Sequence, residues 1–185
     1  MIGFPKRYAD FVARLRVPSG FLLVIVFAWF SHPSARSLAW GLPVALAGLA
    51  LRAWAAGCLA KNQQLSTGGP YAYTRNPLYL GTLLVAAGLV VASRNPGLGV
   101  LFAAVFVLIY LPVIQLEQQH LRSLFPEYAG YAASVPALLP RLTPGPQKNP
   151  HPFQVRLYLR NKEYQAGAGF FAGMLFLLCK WAVGR

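Results

Sequence analysis

Five apolar runs separated by short islands of lysine and arginine set the terms for this chain. They lie at roughly residues 17–30, 38–60, 78–93, 97–116 and 164–183. Each approaches the ~20 residues that a helix needs to cross ~30 Å of hydrocarbon. No water reaches the bilayer core, so the chain must satisfy its peptide groups internally, and successive apolar runs do so as helices. The expected fold is all-α, a polytopic membrane helical bundle of about five transmembrane helices, with the loops on one side forming a pocket. One membrane-embedded domain over residues 1–185 is expected. Residues 1–16 form an interfacial helix, 50–141 hold the densest motifs, and 144–185 supply a linker and the last span.

The charge of the chain follows from this pattern. Lys and Arg number 17 against 4 Asp and Glu, for a net charge of +13, yet 56% of residues are hydrophobic and only 11% are charged. A basic nucleic-acid binder spreads its cations over a polar chain, so no nucleic-acid partner is expected. Counting basic residues in alternate loops gives four before the first run, two in 61–77 and six in 117–163, twelve in all. The opposite face holds three, Arg36, Arg94 and Arg185, while Arg52 and Lys180 fall inside runs. The positive-inside rule then puts the N-terminus and both long polar segments in the cytoplasm, and the C-terminus outside.

Residues 1–16 repeat Tyr8, Phe11, Val12 and Leu15 at helical spacing among Lys6, Arg7, Arg14 and Arg16, which reads as a basic amphipathic helix on the membrane surface. No small-x-small cleavage site follows the first run, so it is expected to be a retained anchor. Arg94-Asn95-Pro96 predicts a tight helical hairpin, Cys58 and Cys179 read as buried small hydrophobes, and Gly169-x3-Gly173 reads as a helix-packing face. His32, His120 and His151 are scattered, so no metal site is expected. Residues 153–160 suit either a strand or an interfacial helix.

Two segments carry the unusual residues and face the same side. The first runs from Lys61 to Gly81 and contains Gln63, Gln64, Leu65, Ser66, Tyr71, Arg75, Asn76, Pro77, Leu78 and Tyr79. Gly68-Gly69-Pro70 predicts a turn, and Asn76-Pro77 starts the next helix. An aromatic belt with a snorkelling arginine would account for this composition, and so would a ligand site. The second segment opens on Glu117, one of four acids in a basic chain, placed at the end of the fourth run where the helix dipole disfavours it. Arg52 lies about two turns inside the second run, where an arginine either snorkels or serves a site.

The pattern Leu65-x-Thr67-x-Gly69-Pro70-Tyr71-x3-Arg75-Asn76-Pro77-x-Tyr79-x-Gly81 resembles the signature of the isoprenylcysteine carboxyl methyltransferase family, which is itself similar to the phospholipid methyltransferases. Glu117-x3-Leu121-x3-Phe125, with Tyr128, Tyr131, Val135-Pro136 and Pro140, resembles the second motif. The resemblance implies an integral membrane methyltransferase that uses S-adenosylmethionine on a lipophilic substrate, a small molecule or a membrane lipid. It implies cofactor contacts at Gln63, Gln64, Leu65, Ser66, Tyr71, Asn76, Pro77, Leu78, Tyr79 and Glu117. Arg75 and Arg52 are the expected anchors for substrate or carboxylate. The chain departs from the family at Asn76, where histidine is common, at Gln118, where a second glutamate is common, and at Val113, where the prenylcysteine enzymes carry arginine. Two other readings stand beside it: a membrane reductase of the sterol-reductase type using a nicotinamide nucleotide, and a non-enzymatic scaffold.

Overall fold

A computed structural model describes residues 4–146 and 152–183. Among these residues the regular structure is helical, with no strand. Helix α1 spans Lys6–Phe30, α2 Ala35–Gly57, α3 Pro77–Ser93, α4 Pro96–Leu124, α5 Tyr128–Ser134, α6 Val155–Arg160 and α7 Tyr164–Val183. α1, α2, α4 and α7 are long and apolar enough to cross a membrane, while α3, at 17 residues, is the shorter fifth member. The protein is an integral membrane helical bundle.

Sequence chemistry sets the helix ends. Ser34 and Ser37 form a reciprocal cap on α2, with Ser34 Oγ accepting from Ser37 N at 3.2 Å and Ser37 Oγ accepting from Ser34 N at 2.9 Å. Pro77 and Pro96 occupy first-turn positions where a missing N–H is harmless. Between α3 and α4, Arg94 takes a left-handed conformation (φ 55°) and Asn95 Oδ1 accepts from Gly97 N at 3.0 Å, which produces the expected hairpin.

Four expectations change. The basic segment and the first apolar run are one continuous 25-residue helix, α1, that passes through Pro18 without a break. The fourth run continues to Leu124, so Glu117 lies within a helix and not beyond its end. The dipole penalty expected for its carboxylate therefore falls away, because that effect fades within the last turn. The glycines of the last run meet nothing: a Cβ at Gly167, Gly169 or Gly173 would find no atom within 4 Å. Likewise Cys58 is buried but Cys179 is exposed on α7.

The glycine packing that matters joins α2 to α3. A Cβ on Gly41 would lie 2.3 Å from Gly88 O, and one on Gly48 would lie 2.6 Å from Gly81 O. Gly41 and Gly48 thus face Gly88 and Gly81 across an antiparallel seam, where the backbones touch. Gly88→Val is expected to destabilise the protein by ~1–3 kcal/mol through overpacking, seen as a fall in melting temperature in detergent. Gly173→Val should change it by less than ~0.5 kcal/mol. Equal effects would contradict this seam.

α4 is not regular throughout. Residues Phe106–Tyr110 form a π-helical turn just before Pro112. Pro112 has no N–H to give to the carbonyl of Leu108 four residues earlier, so that oxygen needs another donor. Tyr8 of α1 provides it, donating from Oη at 2.7 Å. Phe4 and Gln115 add a reciprocal pair, Phe4 N to Oε1 at 2.8 Å and Nε2 to Phe4 O at 3.1 Å. These contacts fix the N-terminal half of α1 against α4.

α7 runs the length of the bundle. Near its start Asn161 Nδ2 donates to Ala56 O and Leu59 O at 2.8 and 2.9 Å, capping the end of α2. Near its finish Lys180 Nζ donates to Ala28 O and Trp29 O at 2.8 and 2.9 Å, capping the end of α1. Phe170, Met174 and Leu177 pack with Leu38, Ala45 and Ala92 between them. The segment left open between strand and helix is helical, as α6.

Candidate functional site

The two motif segments meet at one end of the bundle and are stitched together by backbone bonds. Arg75 N donates to Pro136 O at 2.9 Å, Arg141 N to Tyr73 O at 3.0 Å and Gly145 N to Ala72 O at 2.8 Å. Asn76 Nδ2 donates to Ala137 O at 2.7 Å, and Thr74 Oγ1 to Leu138 O at 3.1 Å. Gly69, at φ +58°, admits the sharp entry into the 3-10 turn Gly69–Ala72. This lacing positions Tyr71 and the start of α3 against α4 and α5.

At the centre Tyr79 Oη donates to Glu117 Oε1 at 2.9 Å. The Tyr110 ring packs edge-on to Tyr79, with centroids 6.2 Å apart. From α1, Arg16 Nη1 approaches Glu117 Oε1 at 3.5 Å, and its guanidinium lies 5.6 Å from the Tyr79 ring centroid and 6.0 Å from that of Tyr110. Glu117 is half-exposed, and so is Arg16.

Tyr71 is buried among Ala55, Cys58, Leu59 and Leu78. Burial pushes its phenol up, and Tyr131, Cys58 and the carboxylates of Glu117 and Glu163 push the same way. Tyr131 is likewise raised by burial and by Tyr128, and its Oη donates to Tyr71 O at 2.7 Å. Both phenols therefore remain protonated donors at neutral pH. Beyond Tyr131 a cavity of about 390 Å³ opens, lined by Leu65, Thr67, Glu127, Gly130, Tyr131, Ser134 and Pro146.

Hydrogen-bond accounting singles out the same region. Buried polar side-chain atoms are nearly always paired. Among the described residues four are not: Thr67 Oγ1, Tyr71 Oη, Arg75 Nε and Gln118 Nε2. All four belong to the two motif segments.

The twelve positions expected from sequence do not all come together. Tyr79 and Glu117 touch, and Asn76, Pro77 and Leu78 form the turn that delivers Tyr79. Leu65 packs on Tyr128 and Tyr131, and Ser66 donates to Cys58 O at 3.1 Å, a structural bond. Gln63 is exposed and Gln64 half-buried in the turn after α2. Arg75 Nη1 donates to Tyr128 Oη at 3.3 Å. Arg52 is engaged elsewhere: Nε and Nη2 donate to the two oxygens of Glu163 at 2.6 and 3.1 Å, and Nη1 donates to Leu78 O at 3.3 Å and to the Thr82 hydroxyl.

Arg16 and Tyr110 are site neighbours that the sequence does not mark, and Glu163 is the partner of Arg52. Glu163 was within reach, since the rarity that marked Glu117 marks it equally. In the sequence Arg16 is one more charge of the basic face, and only the packing of α1 on α4 reveals its partner.

The profile of the phospholipid methyltransferase family matches residues 15–128, more than half of the chain. This chain belongs to that family. The match takes in α1 from its middle onward, α2, α3 and α4, so helices that looked generic in the sequence are part of the family's core. Family membership makes it kin to membrane methyltransferases in general, including the isoprenylcysteine carboxyl methyltransferase-like group. Among curated proteins, the cobalt-zinc-cadmium resistance protein CzcN of Cupriavidus metallidurans is 42% identical over 83 residues, 45% of this chain and 38% of that protein. The nickel-cobalt-cadmium resistance protein NccN of Alcaligenes xylosoxydans xylosoxydans is 32% identical over 118 residues, 64% of this chain and 54% of that protein. The chain thus spans about half or less of the curated relatives it matches. No solved structure matches it.

Proposed function

We propose that the protein is a membrane methyltransferase that transfers a methyl group from S-adenosylmethionine to a lipophilic acceptor. The observation that carries this is the confinement of the four unpartnered buried polar atoms to the two motif segments, which also supply the Tyr79–Glu117 pair. When bound, S-adenosylmethionine supplies a methyl group on a positively charged sulfur. The residues present suit such a group. The Tyr79 and Tyr110 faces and the Glu117 carboxylate can hold organic cations, while the free Tyr71 hydroxyl, Gln118 amide and Arg75 Nε can meet hydroxyls and a carboxylate. The cavity beside Tyr131 offers room for a nucleoside body.

Methyl transfer asks for alignment and exclusion of water more than for proton transfer. The tyrosines fit that role as donors that stay protonated. Twelve basic residues on one face against three on the other favour a cytoplasmic N-terminus and cytoplasmic site loops, with the lipophilic acceptor approaching through the bilayer. The whole chain acts as one membrane-embedded unit in this reading.

The metal-resistance names of the two relatives belong to proteins that this chain matches over at most 54% of their length. They add no residue to the site. Calorimetric titration of the purified protein with S-adenosylhomocysteine tests the reading, and absence of binding would overturn it. Tyr71→Phe adds a second arm. Removing a buried hydroxyl without a partner should stabilise the unliganded protein by ~1 kcal/mol while weakening that binding several-fold. A variant that is destabilised and binds unchanged would remove Tyr71 from the site.

A further inference from the structure

Arg16 stands where a ligand's positive charge would stand. Residues 17–30 of α1 supply 14 uncharged positions, ~21 Å of helix, against ~30 Å of hydrocarbon, so Arg16 lies at or inside the hydrocarbon edge. An arginine there needs a partner. Its partners are the Glu117 carboxylate at 3.5 Å and the faces of Tyr79 and Tyr110 at 5.6 and 6.0 Å. A carboxylate backed by two aromatic faces is a receptor for an organic cation, and it is filled from within the chain.

Two features make this filling reversible. Arg16 and Glu117 are 45% and 46% exposed, so neither is locked by surrounding packing. α1 is held to α4 independently of Arg16, through Tyr8 on Leu108 and the Phe4–Gln115 pair, so the arginine can leave while its helix stays. Tyr79 keeps its own bond to Glu117, so the carboxylate stays oriented.

We infer that Arg16 is an internal competitor for the cation site of Tyr79, Tyr110 and Glu117, displaced when a sulfonium-bearing ligand enters. This rests on the methyltransferase reading and deepens it. Arg16 neutralises Glu117 at membrane depth while the site is empty, and it sets the site's preference between charged and uncharged ligands. A ligand whose sulfur is a neutral thioether does not need that place and binds with Arg16 still present.

The test is calorimetric titration of wild type, Arg16→Gln and Arg16→Lys with S-adenosylmethionine and, separately, S-adenosylhomocysteine. Arg16→Gln should bind S-adenosylmethionine about tenfold more tightly than wild type, and S-adenosylhomocysteine less than about threefold more tightly. Arg16→Lys, which keeps the cation, should stay near wild type. Unchanged or weaker binding of S-adenosylmethionine by Arg16→Gln, with wild type binding normally, overturns this inference alone. Failure of wild type to bind either ligand overturns the methyltransferase reading and this inference with it. Arg16→Met, which keeps the length of the stem, serves if the Gln variant does not fold.

Discussion

Glu117→Gln is expected to weaken S-adenosylmethionine binding by roughly 10- to 100-fold, with methyl transfer falling at least as far. The substitution keeps the shape of the side chain and an oxygen for the Tyr79 hydroxyl, which sits 2.9 Å away in the native protein. It removes the negative charge and turns one acceptor oxygen into an N–H donor. Bonds in which one partner is ionised are about twice as strong as neutral ones. Glu117 is half-exposed, which places the expected loss below that of a fully enclosed ion pair. Tyr79→Phe should cost less, about threefold to tenfold, because it loses the orientation of the carboxylate and keeps the charge and the ring. Calorimetry on both variants decides the matter. A Glu117→Gln protein that binds like wild type would show that the carboxylate is a partner of Arg16 alone.

How far the sequence disclosed this site depends on the range of each interaction. Helix boundaries depend on local chemistry: Asn76-Pro77 and Arg94-Asn95-Pro96 mark helix ends by what proline and asparagine do within one turn, and both junctions lie where expected. The family resemblance rested on Leu65 to Gly81 and Glu117 to Pro140, and the family match to residues 15–128 agrees with it. Long-range pairing was not legible. The partners of Arg16 and Arg52 lie 101 and 111 residues away in the chain, and no periodicity encodes such a distance. The seam glycines were hidden for a similar reason. Gly41 and Gly48, and Gly81 and Gly88, recur at seven-residue spacing, whereas Gly169-x3-Gly173 has the more familiar spacing but faces open space. The π-helical turn required knowing that Tyr8 would be present to serve the Leu108 carbonyl.

Removing Glu163 should have the largest effect on stability. Its side chain is 10% exposed and that of Arg52 22%, with the two joined at 2.6 Å through Nε and 3.1 Å through Nη2. Glu163→Leu leaves a largely buried guanidinium with only Leu78 O and the Thr82 hydroxyl, and stranding a buried charge in this way costs ~3–5 kcal/mol. The double variant Arg52→Met/Glu163→Leu should recover most of that loss, because the penalty belongs to the unpaired charge more than to the missing bond. Equilibrium unfolding in mixed micelles measures both. The same experiment separates two roles for Arg52. A Glu163→Leu protein that loses less than ~1 kcal/mol would mean that Arg52 is solvated and available to a ligand, as its depth in the sequence first suggested. A large loss, largely rescued in the double variant, makes Arg52 the tie between α2, the start of α7 and the first turn of α3. Through the Leu78 carbonyl that tie reaches the residue next to Tyr79. The rescued double variant should then remain folded but bind S-adenosylmethionine more weakly, since it keeps a packed core and lacks the bond that fixes the entry of α3.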